Sequence, residues 1–76
     1  MKTRFKYIEF IAFGTKPESY RCVNRKQRSQ LGQVGWYKAW GCYVFVPTMT
    51  ATVFSIDCLE DMASFMKQLY QEDIPF

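Results

Sequence analysis

Histidine is absent from the 76 residues. That removes the commonest general base at neutral pH and the commonest zinc ligand. Ser-His-Asp and Cys-His catalysis go with it. Cysteine is scarce: Cys22, Cys42 and Cys58 are odd in number, and no two have C-x-x-C spacing. Three reduced thiols, acting as small buried hydrophobes in a cytosolic protein, are expected; a Cys22–Cys42 contact across strands is the alternative. The four glycines, Gly14, Gly32, Gly35 and Gly41, match neither G-x-x-x-x-G-K-[ST] nor G-x-G-x-x-G. No apolar run approaches the roughly 20 residues that cross a bilayer, so no membrane span is expected. The start, Met1-Lys2-Thr3-Arg4-Phe5-Lys6, is basic. Glu9 then interrupts the apolar stretch and no small-residue cleavage site follows, so no signal peptide is expected either. The carboxylates cluster toward the C-terminus, away from any glycosidase-like pairing. These absences point away from an enzyme and from any cofactor or metal.

What is present is globular in character. Apolar residues make up 49% of the chain and charged residues 22%, which argues against disorder. Residues 1–76 at this length form a single domain that buries only roughly 60% of the surface of its unfolded chain. The net charge of +3 hides a polarity: residues 1–38 carry nine Lys/Arg and two acids, whereas residues 39–76 carry one Lys and five acids. Arg21, Arg25, Lys26 and Arg28 fall within eight residues. A solvated loop explains each cation alone; the cluster is read as a patch for phosphate or an acidic partner.

Periodicity supplies the elements. Residues 4–13 are aromatic and β-branched and read as strand one. Gly14-Thr15-Lys16-Pro17 reads as a turn and residues 18–25 as strand two, with a polar loop from Lys26 to Gln30. Leu31 to Lys38 is strand three, Lys38-Ala39-Trp40-Gly41 a tight turn with Gly41 left-handed, and residues 42–46 strand four, stopped by Pro47. Thr48 to Thr52 is a connector, with a short extended piece at Thr52-Val53-Phe54. Residues 57–71 are helical, capped by Asp57 in a box with Glu60, or by Ser55 in competition. Cys58, Leu59, Met62, Ala63, Phe65, Met66, Leu69 and Tyr70 share an arc of about 160°. The fold class is therefore α+β: a four-stranded antiparallel meander with one C-terminal helix packed on one face.

One helix covers one face, yet both faces of the sheet are apolar. A two-residue turn places 36 opposite 43 and 37 opposite 42. Val34, Trp36, Tyr43 and Phe45 then share one face, and Leu31, Tyr37, Cys42, Val44 and Val46 the other. Strand one divides into Phe5, Tyr7, Ile11 and Phe13 against Ile8, Phe10 and Ala12. The surplus face awaits the 47–54 connector, the Ile74-Pro75-Phe76 tail, a second copy or a ligand. Gly35 is read as room for an aromatic ring, ahead of a bulge or a ligand's approach.

Leu31-Gly32-Gln33-Val34-Gly35-Trp36-Tyr37-Lys38-Ala39-Trp40, with Tyr43-Val44-Phe45-Val46-Pro47, Val53-Phe54-Ser55 and Cys58-Leu59-Glu60-Asp61, resembles a group of very small uncharacterised phage and bacterial proteins. Their pattern is roughly L-G-x-V-x-W-Y-x-x-W, Y-x-F-x-P, V-F-S-x-x-C-L-x-D and an amphipathic helix. The resemblance spans residues 20–70. It implies a compact sheet-plus-helix fold and a phage or mobile-element setting, and supplies no catalytic residue.

The expected function is non-catalytic binding of a host protein, such as inhibition of a defence component, in the host cytoplasm. The alternatives are a nucleotide or single-stranded nucleic-acid ligand and a homodimeric module. The expected surface combines Trp36, Trp40 and Tyr43 with Arg21, Arg25, Lys26 and Arg28, the rings for stacking or anchoring and the cations for phosphate or acidic groups. The helix assignment is directly testable. Met66→Asp puts an unpaired charge on the docking stripe and should cost several kcal/mol, whereas Lys67→Asp on the opposite face should be mild. Thermal melts of the two variants check this, and equal stabilities would count against the docking face.

Overall fold

The computed structural model describes residues 1–14, 19–49 and 53–72. The expected turn at Thr15-Lys16-Pro17, the connector from residue 50 to Thr52 and the Ile74-Pro75-Phe76 tail lie outside the described residues. The elements are β1 (Ile8–Ala12), β2 (Tyr20–Asn24), β3 (Gln30–Tyr37), β4 (Cys42–Pro47) and α1 (Ile56–Glu72). The strands form one antiparallel sheet in the order β1-β2-β3-β4, a meander as expected. No helix among the described residues is long and apolar enough to cross a membrane.

The core is the interface between α1 and one sheet face. Phe65 is fully buried; its ring lies parallel to Phe10 at 4.0 Å and edge-on to Tyr20 at 5.0 Å. Met62 and Leu69, one helical turn to either side, are buried with it. From the sheet come Ile8, Cys22, Val34 and Tyr43. Ser55 caps α1: its Oγ accepts from the Cys58 backbone N–H at 3.2 Å. Asp57 lies in the first turn instead of at the cap. The helix starts at Ile56, so Cys58, not Glu60, holds the third helical position and the expected capping box does not form.

The N-terminal segment departs most from the sequence reading. Residues 4–13 do not run as one strand. Thr3 to Phe5 fold back antiparallel along the outer edge of β1: the Phe10 N–H donates to the Thr3 carbonyl at 2.8 Å, and the Phe5 N–H to the Ile8 carbonyl at 2.9 Å. Arg4 therefore opposes Glu9, and Phe5 joins Ile8 under the helix, edge-on to Phe10. The reversal separates Phe5 from Ile11, which stays on the other face. Lys2 and Gln68 exchange two hydrogen bonds, at 2.8 and 2.9 Å, and tie this segment to α1.

β3 and β4 pair in the expected register, with Trp36 opposite Tyr43 and Tyr37 opposite Cys42. The loop is Lys38 to Gly41, with Gly41 at φ 64° as anticipated. A bulge in the β2–β3 ladder changes the facing at the other end. Cys22 opposes Gly32 and Val23 opposes Gln30, so Leu31 is an extra residue. It packs against the helix-side core and leaves the face on which strict alternation would put it. The glycine that makes room for a ring is also not Gly35. A Cβ on Gly32 would meet the Val46 carbonyl oxygen at 2.5 Å and the Phe45 ring at 2.6 Å, whereas one on Gly35 would meet only the Ser19 hydroxyl at 3.8 Å. Gly32→Ala should therefore overpack the core by about 1–3 kcal/mol, lowering the melting temperature by roughly 10 °C. Gly35→Ala should shift it by no more than about 3 °C, so two equal shifts in calorimetry would contradict this packing.

Candidate functional site

The residues expected to form one binding surface separate into three groups. Tyr43 is 7% exposed and belongs to the core. It stands edge-on to Tyr70 of α1, whose hydroxyl accepts the Tyr43 backbone N–H at 2.9 Å. The assignment of Tyr43 to a binding surface is corrected accordingly: period-two alternation put it on a sheet face, and that face is the one the helix covers. Trp36, opposite Tyr43, shares the helix side and packs edge-on against it at 5.1 Å, leaving half its surface exposed. Trp40 lies on the other side of the hairpin. Its ring is 74% exposed and edge-on to Tyr37 at 5.1 Å. Trp36 and Trp40 thus pack against different rings, Tyr43 and Tyr37, although Trp36 also reaches the cavity beside Gly35.

The cations separate as well. Arg21 projects from β2 onto the open sheet face, opposite Gln33, with its guanidinium 5.2 Å from the centre of the Phe13 ring. Arg25, Lys26 and Arg28 sit in the β2–β3 loop. That loop and the β3–β4 turn lie at opposite ends of β3, whose eight residues span roughly 25 Å. The aromatic turn and the basic loop are consequently two sites.

The first site is the open sheet face. Trp36, Tyr37, Val44 and Val46 line a shallow cavity of about 240 Å³ beside Gly35, together with Val34, Ser19 and Gln33. The missing side chain at Gly35 makes the concavity. Tyr37 and Val46 are both exposed, Trp40 stands beside Tyr37, and Ile11 is exposed across the sheet.

The second site is a cleft of about 470 Å³ at the opposite end, lined by Arg4, Lys6, Tyr7 and the 24–28 loop. The loop is tightly specified. The Asn24 side-chain oxygen accepts from the backbone N–H groups of Lys26 and Gln27, both at 2.9 Å. Arg28 takes the left-handed conformation at φ 62°, with its N–H on the Asn24 carbonyl at 2.7 Å. Arg25 ties the loop to the N-terminal reversal: its N–H donates to the Tyr7 carbonyl at 2.9 Å and its Nη1 to the Phe5 carbonyl at 2.7 Å. Arg4, Lys6 and Tyr7 escaped the sequence reading because their segment was assigned to a continuous strand. No local signal marks them: the alternation of charge and aromatic at residues 4–7 is the pattern of a strand buried on one face, and it reads the same whether the segment continues into β1 or folds back along it.

A third groove, of about 450 Å³, follows the solvent face of α1 past Glu60, Ser64 and Lys67. Its charges are mixed and it gathers no functional cluster. Among the described residues no three His, Cys, Asp or Glu side chains are placed to share a metal ion.

The thiols offer little chemistry. All three are free; Cys22 lies buried on the helix side, and Cys42 opposes Tyr37 on a strand that does not adjoin β2. The alternative Cys22–Cys42 contact does not form. Burial, helped by the neighbouring Cys58 thiol, pushes the Cys22 thiol up to about 12. A buried neutral thiol is a poor nucleophile.

No family model, no curated protein and no solved structure matches the chain.

The functional reading therefore rests on these two surfaces. Cys22 supplies the test of the burial behind them. In the native protein a thiol-specific reagent should modify Cys42 and Cys58 but leave Cys22 untouched until denaturant is added. The ionisation of Cys22 is suppressed only in the folded state, so its contribution to stability is complete below the ordinary thiol range, near 9.0, and is lost progressively as pH rises toward about 12. Rapid native labelling of all three thiols would contradict this packing.

Proposed function

We propose that the protein acts by binding alone, and that a partner protein docks on its open sheet face. The observation that supports this reading is the arrangement around Gly35: a shallow concavity with Tyr37, Val44 and Val46 in its lining, an exposed Tyr37–Trp40 pair and, further along the same face opposite Gln33, Arg21. Exposed aromatic rings and arginine are among the residue types that anchor protein interfaces. A cavity above a glycine accepts a side chain from the partner, and the rings beside it shield that contact from water. In the phage or mobile-element setting that the resemblance implies, the partner is a host protein and the consequence is its inhibition, as for a defence component in the host cytoplasm.

Affinity capture from host lysate, comparing the protein with its Trp40→Ala and Val46→Asp variants, tests this reading. Both side chains are half exposed or more, so both variants should melt within a few degrees of the parent. Removing an anchor ring should weaken capture about 30-fold, equivalent to about 2 kcal/mol. Undiminished capture by both variants would place the partner elsewhere. A dimeric mass in solution that reverts to monomer in Trp40→Ala would give the face to a second copy of the chain instead.

A further inference from the structure

The basic cleft is independent of the sheet-face reading and carries its own assignment. We propose that it is a phosphate-binding site for a single-stranded nucleic acid, with the phosphates on Arg4, Lys26 and Arg28 and a base on Tyr7. Four observations support this.

The first is convergence. Five cations, Arg4, Lys6, Arg25, Lys26 and Arg28, line one cavity of about 470 Å³ although they come from two segments some 20 residues apart in sequence. Among the described residues, Glu9 is their one acidic partner. It lies 3.9 Å from Arg4 Nε and 3.7 Å from Arg28 Nη1, too long for direct hydrogen bonds. Five cations against one carboxylate leave a strong local excess of positive charge, which an anion would relieve.

The second is preorganisation. Arg28 holds a left-handed backbone that costs a non-glycine residue free energy, and Asn24 fixes the loop that imposes it. The Arg25 guanidinium is anchored on the Phe5 carbonyl and serves as a positioning residue that joins the two walls. The cleft is thus set before any ligand arrives.

The third is the ring. Tyr7 is 46% exposed at the cleft wall, with Lys6 Nζ 5.2 Å from its centre. An exposed aromatic face among cations is the platform on which single-stranded bases stack.

The fourth is shape. The cleft is open to solvent, and the loop contributes Arg25, Lys26 and Arg28 to its lining from nearly consecutive positions in the chain. A free nucleotide shares the same phosphate and base chemistry, so the test must separate the two sources.

The measurement is fluorescence anisotropy of a labelled twelve-nucleotide oligothymidine with the full chain, at 50 and 200 mM salt. Contact with three phosphates predicts a loss of roughly 20-fold in affinity over that range. Arg28→Gly removes one charge while relieving the backbone, so it should weaken binding without lowering the melting temperature. Lys26→Ala should act similarly, and Tyr7→Ala should weaken binding roughly tenfold by loss of stacking. Trp40→Ala, at the far end of the sheet, should leave it unchanged. Absence of binding at 50 mM salt, or unaltered affinity in both Arg28→Gly and Lys26→Ala, overturns the site. Loss of binding in Trp40→Ala places it at the aromatic turn and overturns it too. ATP or AMP competing as well as unlabelled oligothymidine, mole for mole, assigns the cleft to a nucleotide and overturns the strand.

Discussion

The contact on which the fold depends is Phe65 of α1 against Phe10 of β1 and Tyr20 of β2. A chain this short has one opportunity to build a core, because a single helix meets a single sheet face. Phe65 is where that happens, buried completely between two rings from adjacent strands. Phe5 closes one side against Phe10, and Tyr43 with Tyr70 closes the other. Once α1 is committed to this face it cannot cover the opposite one. The exposed rings and valines on the far side follow from that single allocation.

The meander and the helix were legible because their signals are local. Period-two alternation and a turn ending in Gly41 fix the β3–β4 register, and the stripe of Met62, Phe65 and Leu69 fixes the face of α1. The parts that escaped depend on contacts distant in sequence. The return of Thr3 to Phe5 along β1 is set by the burial of Phe5 against Phe10, which alternation alone does not encode. The bulge at Leu31 lies next to Gly32, against which the Phe45 ring packs, a contact between strands that alternation does not encode. Ser55 takes the cap in place of Asp57, and the helix begins at Ile56, two residues earlier than the carboxylate pattern suggests. The candidate site was half legible. Arg25, Lys26 and Arg28 announce themselves as a cluster, whereas Arg4, Lys6 and Tyr7 join them only through the reversal at the N-terminus. Tyr43 was lost from the site because an aromatic residue beside a turn looks the same in sequence whether or not a helix covers it.

Separation of the two surfaces has a physical consequence for binding. Opposite ends of β3 lie roughly 25 Å apart, well beyond the Debye length of about 8 Å at physiological ionic strength. The cations at one end therefore contribute little to what docks at the other, except for Arg21 midway along the open face. Occupants of the two sites would respond differently to salt: the basic cleft strongly, the apolar depression weakly. Mutations at the two ends should also combine additively, since the two sites share no side chains.

Both sheet edges are partly blocked to strand addition, by different means, and this bears on how a partner approaches. The outer edge of β1 is occupied by the chain's own residues 3–5. The outer edge of β4 is blunted at intervals. The Thr48 N–H bonds to the Leu31 carbonyl, and antiparallel alternation then turns the backbone groups of Tyr43, Phe45 and Pro47 outward. The Tyr43 N–H is taken by the Tyr70 hydroxyl and Pro47 has no N–H to offer, so Phe45 alone presents an outward donor among these three. One donor cannot nucleate a ladder. A partner is left with side chains: rings and valines on the open face, and guanidinium and ammonium groups at the basic end. Recognition through side chains makes affinity sensitive to single substitutions at exposed positions that the core does not need, and on this protein those positions are Trp40, Val46, Lys26 and Arg28.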